Sequence, residues 1–553
     1  MGRDTKRFAE KQDILICLSI DVVQDHLKSS GDKCMKKKLG YIGVICLIML
    51  VLCGLLYLVE ARAGGSSITS IGDALWYMIV TLTTVGYGDL YPVTLWGKII
   101  GIIFILSSMG LMGFLLATII STFNSDGIKL WRLRRHRDEN WYVFSEINEK
   151  TSFLISDIKS HGKGIFICLG EINDFTPSGV LPIDCSFEKI ISLKGDKSRL
   201  HLFFMRDCDN DYENYSEYYD QCNRYLRDNT LPFHCYCLTE YVPEIIPVNL
   251  VCFSKYENTS RLYWNAYPLR ADLGHDERIV IIGDGEYSNS ILEHALKRNV
   301  YKVTQSVEYH LFGDFNTFRT EHYYLGDYFS IDKKSETVDS IIYHQASWME
   351  DRETIENADR IIICDFDESV NLTVLSRLRK YYAIRNKDQQ FHVLYSRKIN
   401  DSGVTTFGSI EDIYTEEFVL KEKMSRVAIG MHETYRKDNA AAPDWNHLSA
   451  FKRQSNQEVA DHMPVKLGIL KAATPGEAYA AYKALTDEQK LTLWHLEHER
   501  WTRFHIVNNW HYAAVRNDSA REHNLLVPFD DLPYEEQAKD AYSWELLSKI
   551  DNL

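Results

Sequence analysis

Two long uncharged apolar runs lie near the start of the chain, residues 39–59 (LGYIGVICLIMLVLCGLLYLV) and residues 99–123 (IIGIIFILSSMGLMGFLLATIISTF). Each is long enough to cross a bilayer as a helix, which takes about 20 apolar residues. Between them, residues 71–82 form a shorter apolar segment. It is too short to cross and predicts a re-entrant helix, which is stable at membrane depth only when buried in protein. Beyond residue 146 the pattern changes to short strand-like segments, largely apolar, at 164–169 (GIFICL), 200–205, 233–238 and 248–253, then a continuous apolar run at 278–282 (RIVII) and further strands at 307–314, 360–364 and 391–395. These alternate with helical stretches such as 370–383. A strand covered on both faces reads as an unbroken apolar run, so the alternation predicts parallel, doubly wound sheets. After about residue 430 the strand runs stop and the pattern is helical, rich in His and Trp.

The segment joining the short apolar helix to the second run is Thr84-Val85-Gly86-Tyr87-Gly88-Asp89. TVGYG resembles the selectivity filter of potassium channels, in which backbone carbonyls replace the water around the ion. Gly86 and Gly88 suit that task because glycine enters positive-φ conformations at little cost and lets successive carbonyls face one axis. Thr84 adds a hydroxyl, Tyr87 offers a ring to hold the diameter, and Trp76-Tyr77 stand where such channels carry an aromatic cuff. Two spans and one filter loop are a quarter of a pore, so the resemblance implies a homotetramer in a lipid bilayer with K⁺ as the permeating ion. No Arg-rich voltage-sensing segment precedes the pore. Gly110 and Gly113, midway along the second run, are candidate gating hinges, or simply permit close helix packing.

Charge sets the expected orientation. Lys33, Lys36, Lys37 and Lys38 precede the first run, and Lys129, Arg132, Arg134, Arg135 and Arg137 follow the second, which places both termini in the cytoplasm of a two-span membrane protein. The first long apolar run is span-sized, so no cleavable leader is expected. Residues 8–27 pattern as an amphipathic helix with Ile14, Leu15, Leu18, Val22 and Val23 on one side. The net charge of −15 and the lack of a basic stripe beyond the juxtamembrane cluster argue against nucleic-acid binding. Twelve scattered cysteines without a CxxC pair suit a reducing compartment and no metal site.

The strand at 278–282 runs into Gly283-Asp284-Gly285-Glu286-Tyr287-Ser288 and then a helical pattern, the first unit of a Rossmann-like fold. The glycine pattern is G-x-G-x-x-S, and the acidic residue expected after the second strand is Asp314. Gly283, Gly285, Ser288 and Asp314 are thus a candidate but incomplete nucleotide site. Placed directly after a two-span pore, this order resembles the RCK (TrkA-N-like) domains that regulate potassium conductance. Residues 146–270 read as a degenerate copy with Gly170 alone after its first apolar run, lacking a phosphate cradle. The expected organisation is a cytoplasmic segment (1–36), the pore module (37–125), a basic linker (126–145), two Rossmann-like lobes (146–270 and 271–425) and a helical domain (426–553).

The last region carries His498-Glu499-Arg500-Trp501, then Asn509-Trp510-His511-Tyr512, then His523-Asn524-Leu525-Leu526-Val527-Pro528-Phe529 through Leu532. This resembles the RyR domain of ryanodine receptors and microbial proteins, with its H-E-x-W, G-W-x-Y and H-P-x-L-x-P motifs, although Asn509 replaces a Gly and Asn524 a Pro. Trp501, Trp510 and Tyr512 are candidates to stack on a flat ring while Arg500 or His523 meets phosphate. His495 and His498 lack further fixed ligands, so a metal site is not expected. The whole reads as a potassium channel gated by a cytoplasmic ring that binds a small nucleotide-like ligand, and not as an enzyme, since no nucleophile or acid–base couple assembles. Two alternatives stay open: a nucleotide-using cytoplasmic enzyme with the pore as effector, and a pore regulated by protein docking at the RyR-like domain.

Overall fold

The computed structural model describes residues 47–108, 126–208, 212–240, 242–270 and 273–550. The amphipathic segment 8–27, residues 39–46 of the first run, Gly110 and Gly113, and the end of the second run lie outside the described residues. The chain divides into two compact units, Met1–Ile128 and Lys129–Leu553.

In the first unit, helices cover residues 47–60 and 95–108, with Ile71–Leu82 between them. Among the described residues no helix is long and apolar enough to cross a membrane. The short helix starts at Ser70 because its side chain accepts from the Asp73 N–H (3.1 Å) while the Asp73 carboxylate accepts from the Ser70 N–H (2.8 Å), a reciprocal cap. Cys53 and Leu56 pack with Ala74, Met78, Ile100 and Phe104, so all three helices share one core. The buried Glu60 carboxylate accepts from Ser66 Oγ (2.8 Å) and the N–H groups of Val93 (3.0 Å) and Thr94 (2.9 Å), fixing the return loop to the first helix.

The second unit holds two parallel sheets. In the first, β1 (Trp141–Phe144), β2 (Ile165–Leu169), β3 (Val180–Ile183), β4 (Leu200–Phe204), β5 (Thr230–Leu238) and β6 (Val248–Phe253) lie in the order β3-β2-β1-β4-β5-β6. In the second, β7 (Arg278–Ile282), β8 (Glu308–Phe312), β9 (Ser330–Ile331), β10 (Ser340–His344), β11 (Arg360–Ile363), β12 (Phe391–Leu394) and β13 (Val404–Phe407) run β13-β12-β11-β7-β8-β10-β9. Setting the short edge strand β9 aside, both have the Rossmann strand order, with a topological switch beside the first strand of each. Alternation explains the two-sided burial: Trp141 and Val143 enter one core and Tyr142 and Phe144 the opposite one. Ile279 and Ile281 are divided from Val280 and Ile282 in the same way.

The central strand β1 falls within the stretch read from the sequence as basic linker, and the helix Asp126–Arg135 occupies much of the rest. Residues 164–169 therefore supply the second strand of their sheet. The turn after the true first strand is Ser145-Glu146-Ile147-Asn148, in which Asn148 caps the helix Glu149–His161 and no glycine occurs.

The C-terminal helices close onto the second sheet. Ile506 and Val507 share a core with Ile279 and Leu311. Buried ion pairs join Arg503 to Asp339 (2.5 Å), Arg261 to Asp461 (2.6 Å) and Lys297 to Glu458 (3.2 Å). This region is not wholly helical: β14 (His511–Tyr512) and β15 (Glu522–His523) form a small parallel pair.

Candidate functional site

Three places among the described residues combine the sequence candidates, and they differ in what they can hold. The first is the filter segment. Gly86 has φ 59° and Gly88 φ 75°, and even Thr84, β-branched, sits at φ 61°. The N–H groups of Val85 (3.0 Å) and Gly86 (3.3 Å) both turn back to the Val80 carbonyl, which ties the start of the segment to the last turn of the short helix. Trp76 Nε1 donates to Asp89 Oδ2 (2.9 Å), and the Trp76 ring stacks on Tyr87 at 6.0 Å and 3°. Trp76 thus braces both ends of the Tyr87–Asp89 stretch. Tyr77, its expected companion in the cuff, turns the other way and packs on Phe104 (6.4 Å).

The second place is the turn after β7. Gly283, Gly285, Ser288 and Asp314 do converge there. A Cβ on Gly283 would meet the Asp365 nitrogen at 2.4 Å, so glycine is needed for the close approach of β7 and β11. Gly285 precedes the helix Glu286–Arg298, and Ser288 is buried with its hydroxyl donating to the Gly285 carbonyl (2.8 Å). Two backbone donors beside the turn are used internally. The Asp284 N–H donates to Asp365 Oδ2 (3.1 Å), and the Asp314 N–H donates to Asp284 Oδ1 (2.5 Å). Glu286 adds a carboxyl in the first helical turn, its pKa raised by burial and then by the charges of Glu321 and Glu293. This acidic surround is a poor seat for a polyphosphate.

The third place is a cavity of about 620 Å³ in the C-terminal region. Its walls carry five rings, Phe451, Trp501, His505, Trp510 and His523, and two carboxylates, Glu244 and Asp518. Trp501 and His505 stand one turn apart on the helix Asp487–Val507, with ring centres 3.9 Å apart. Phe451 comes from the helix Ala450–Asp461 and stacks on Trp510 (5.0 Å, 29°). Trp510 reaches its position because Asn509 takes φ 60°, the left-handed conformation that Asn tolerates. His523, on β15, meets Trp501 edge to face at 5.0 Å. Lys452, Arg516 and Arg521 also line the cavity. Arg516 is held by Asp518 (2.6 Å), and Arg521 donates to the Asn508 carbonyl (2.9 Å).

Of the ring-stacking and phosphate candidates, Trp501, Trp510 and His523 line this cavity and two do not. Arg500 is 1% exposed and donates twice to Glu497 Oε1, through Nε (2.9 Å) and Nη2 (2.7 Å), while Lys466 lies 3.1 Å from Glu497 Oε2. Its charge is committed to the interior. Tyr512 is 56% exposed on β14 and is absent from the lining. Lys452, Arg516 and Arg521 are the cations on the cavity wall, Arg516 being paired with Asp518. His505 is legible from its i+4 spacing to Trp501; Phe451, far upstream, carries no local signal. No cluster of His, Cys, Asp and Glu suited to a metal occurs among the described residues.

Comparison with known proteins bears on the first place. Residues 44–125 match a family model described as "Ion channel". A stretch of 81 residues is 42% identical to a voltage-gated potassium channel of Aeropyrum pernix, covering 15% of this chain and 28% of that protein. Another of 84 residues is 40% identical to potassium voltage-gated channel subfamily A member 5 of Rattus norvegicus, covering 15% and 13%. The chain therefore spans less than a third of the length of these relatives, and the likeness is confined to the pore segment. Among solved structures, "GsuK channel bound to NAD" aligns over 72% of this chain and 86% of that one at 12% identity and TM-score 0.36. "Crystal structure of the GsuK bound to ADP" aligns over 69% and 96% at 14% identity and TM-score 0.34.

Proposed function

We propose that this protein is a potassium-selective channel whose conductance is controlled by a small aromatic anion bound in the C-terminal cavity. The pore half of the reading rests on the filter segment: a TVGYG sequence with positive φ at both glycines, inside a stretch similar to potassium-channel pores. Val85 (53%) and Tyr87 (68%) are exposed in one protomer, as expected if further copies complete the filter wall in a homotetramer.

The observation that carries the control half is the cavity whose walls combine five rings with the cations Lys452, Arg516 and Arg521, which outnumber the carboxylates Glu244 and Asp518. Aromatic faces stack on a planar base, and Arg and Lys meet phosphate, so a nucleotide fits better here than at the acidic turn after β7. In this reading the two Rossmann-like lobes are RCK-type scaffolds and the C-terminal region is an RyR-type sensor. A ligand that binds one arrangement of the cytoplasmic assembly more tightly shifts the population of open pores through the covalent connection at residues 126–137.

Potassium flux from liposomes carrying the full-length protein tests this, with a panel of nucleotides added at the cytoplasmic face. A nucleotide that alters flux in the wild type should act at more than about tenfold higher concentration on Trp510→Ala, whose maximal flux is retained. An unchanged dose response in Trp510→Ala places the sensor elsewhere.

A further inference from the structure

Two histidines of the cavity are anchored in opposite senses. His505 Nδ1 lies 2.8 Å from the Trp501 carbonyl, which only accepts, so His505 carries its proton on Nδ1. His523 Nδ1 accepts from the Leu525 N–H at 3.1 Å, so the proton of that ring sits on Nε2. Both rings are neutral near pH 7: burial drives the His505 pKa down to about 3, and burial followed by the charge of Arg516 lowers that of His523. The side chains are 5% and 4% exposed, their ring centres are 5.7 Å apart, and both line the cavity. Neither Nε2 has a hydrogen-bond partner among the described residues. The two rings therefore offer one bare acceptor, His505 Nε2, beside one donor, His523 Nε2–H.

We infer that His505 and His523 form a specificity pair that reads a heteroaromatic edge carrying a donor next to an acceptor. The amidine edge of adenine has this pattern, as does the lactam edge of hypoxanthine or guanine. A ring with acceptors only leaves His505 Nε2 unpaired in a desolvated place, and a carboxylate does the same. An unpaired buried group is what makes such sites discriminate. Trp501, Trp510 and Phe451 supply stacking that any base satisfies, and the three cations supply phosphate binding that any nucleotide satisfies. The two imidazoles are what distinguish one base from another. This rests on the reading of the cavity as a ligand site.

The test is calorimetry on the full-length protein in detergent with three 5′-monophosphates: AMP, IMP and purine riboside. All three share phosphate, sugar and stacking area, and purine riboside lacks the edge donor. AMP or IMP should bind at least about tenfold more tightly than purine riboside 5′-monophosphate. His505→Phe keeps a ring and loses the acceptor, and should bring the three affinities together. His523→Phe should weaken all three, because each offers an edge acceptor, ring N1 in AMP and purine riboside 5′-monophosphate and O6 in IMP. Each variant is accepted only if it melts cooperatively within a few degrees of the wild type. Equal affinities in the wild type, or a preference that persists in His505→Phe, overturn the pair's role while leaving the cavity as a ligand site. Failure of all three to bind overturns the ligand reading itself.

Discussion

Single positions show which effect wins locally. At Gly86 the backbone stands at φ 59°, where a side chain costs an L-residue about 1–2 kcal/mol. The filter is proposed to repeat this residue around one axis in every subunit, so Gly86→Ala should abolish potassium current while the protein still purifies as the same oligomer. Retained current of normal selectivity would show that the segment is no filter. Arg500 makes the opposite point. Its sequence neighbours Trp501 and His498 give it the look of a ligand-binding residue, yet its guanidinium is buried against Glu497. Removing one member of a buried pair costs about 3–5 kcal/mol, because the other is left charged and unpartnered. Arg500→Ala should therefore lower the melting temperature by several degrees and leave the nucleotide selectivity of the surviving folded protein unchanged.

Among the elements, the helix Lys423–Asp438 shows how burial can reverse an ordinary preference. Glu422 precedes it in a left-handed conformation (φ 46°, ψ 46°) and borders a second cavity with Tyr236 and Trp445. A carboxylate near a helix N-terminus is normally favoured. Here desolvation wins and pushes its pKa up to about 7. The folded protein then holds a proton that the unfolded chain releases near its ordinary value of 4.5. Between those values the folded state binds more protons, so this group lowers stability as pH rises from about 4.5 to 7 and adds no slope above that. The slope is at most about 1.4 kcal/mol per pH unit. Melting temperatures between pH 5 and 7 should fall less steeply for Glu422→Gln than for the wild type; identical slopes would show the carboxyl to be solvated.

Legibility of the elements tracks burial. Strands β7 and β11 are readable because their covered residues form unbroken runs of Ile and Val, and β8 and β12 because Leu, Phe and Val still dominate around a single His. Strand β1 (WYVF) is hidden by its brevity and by the charged run before it. Strands β10 and β13 are diluted by Ser, His and Thr at positions that the sheet still accommodates. In the cavity, Trp501, Trp510 and His523 stand out as clustered rings. Phe451, Lys452, Arg516 and Arg521 do not, because the fold and not the sequence brings them alongside.

Across the molecule, the C-terminal helices are part of the second lobe's core, through Ile506, Val507 and the Arg503–Asp339 pair, and are no detachable appendage. Ending the chain after Met424 would expose that core, so such a protein should lose the cooperative melting of its cytoplasmic unit, which circular dichroism would register. A truncated form that melts like the full chain would separate sensor from scaffold. For the same reason, point substitutions in the cavity are the proper probe of ligand control. Everything proposed for the cavity matters to function only if the filter segment conducts potassium. The reversal potential of currents from the full-length protein in planar bilayers, with K⁺ on one side and Na⁺ on the other, decides this. A potassium filter sets that potential by the K⁺ gradient, with Na⁺ contributing little; a reversal near zero, meaning equal passage of the two ions, would contradict it.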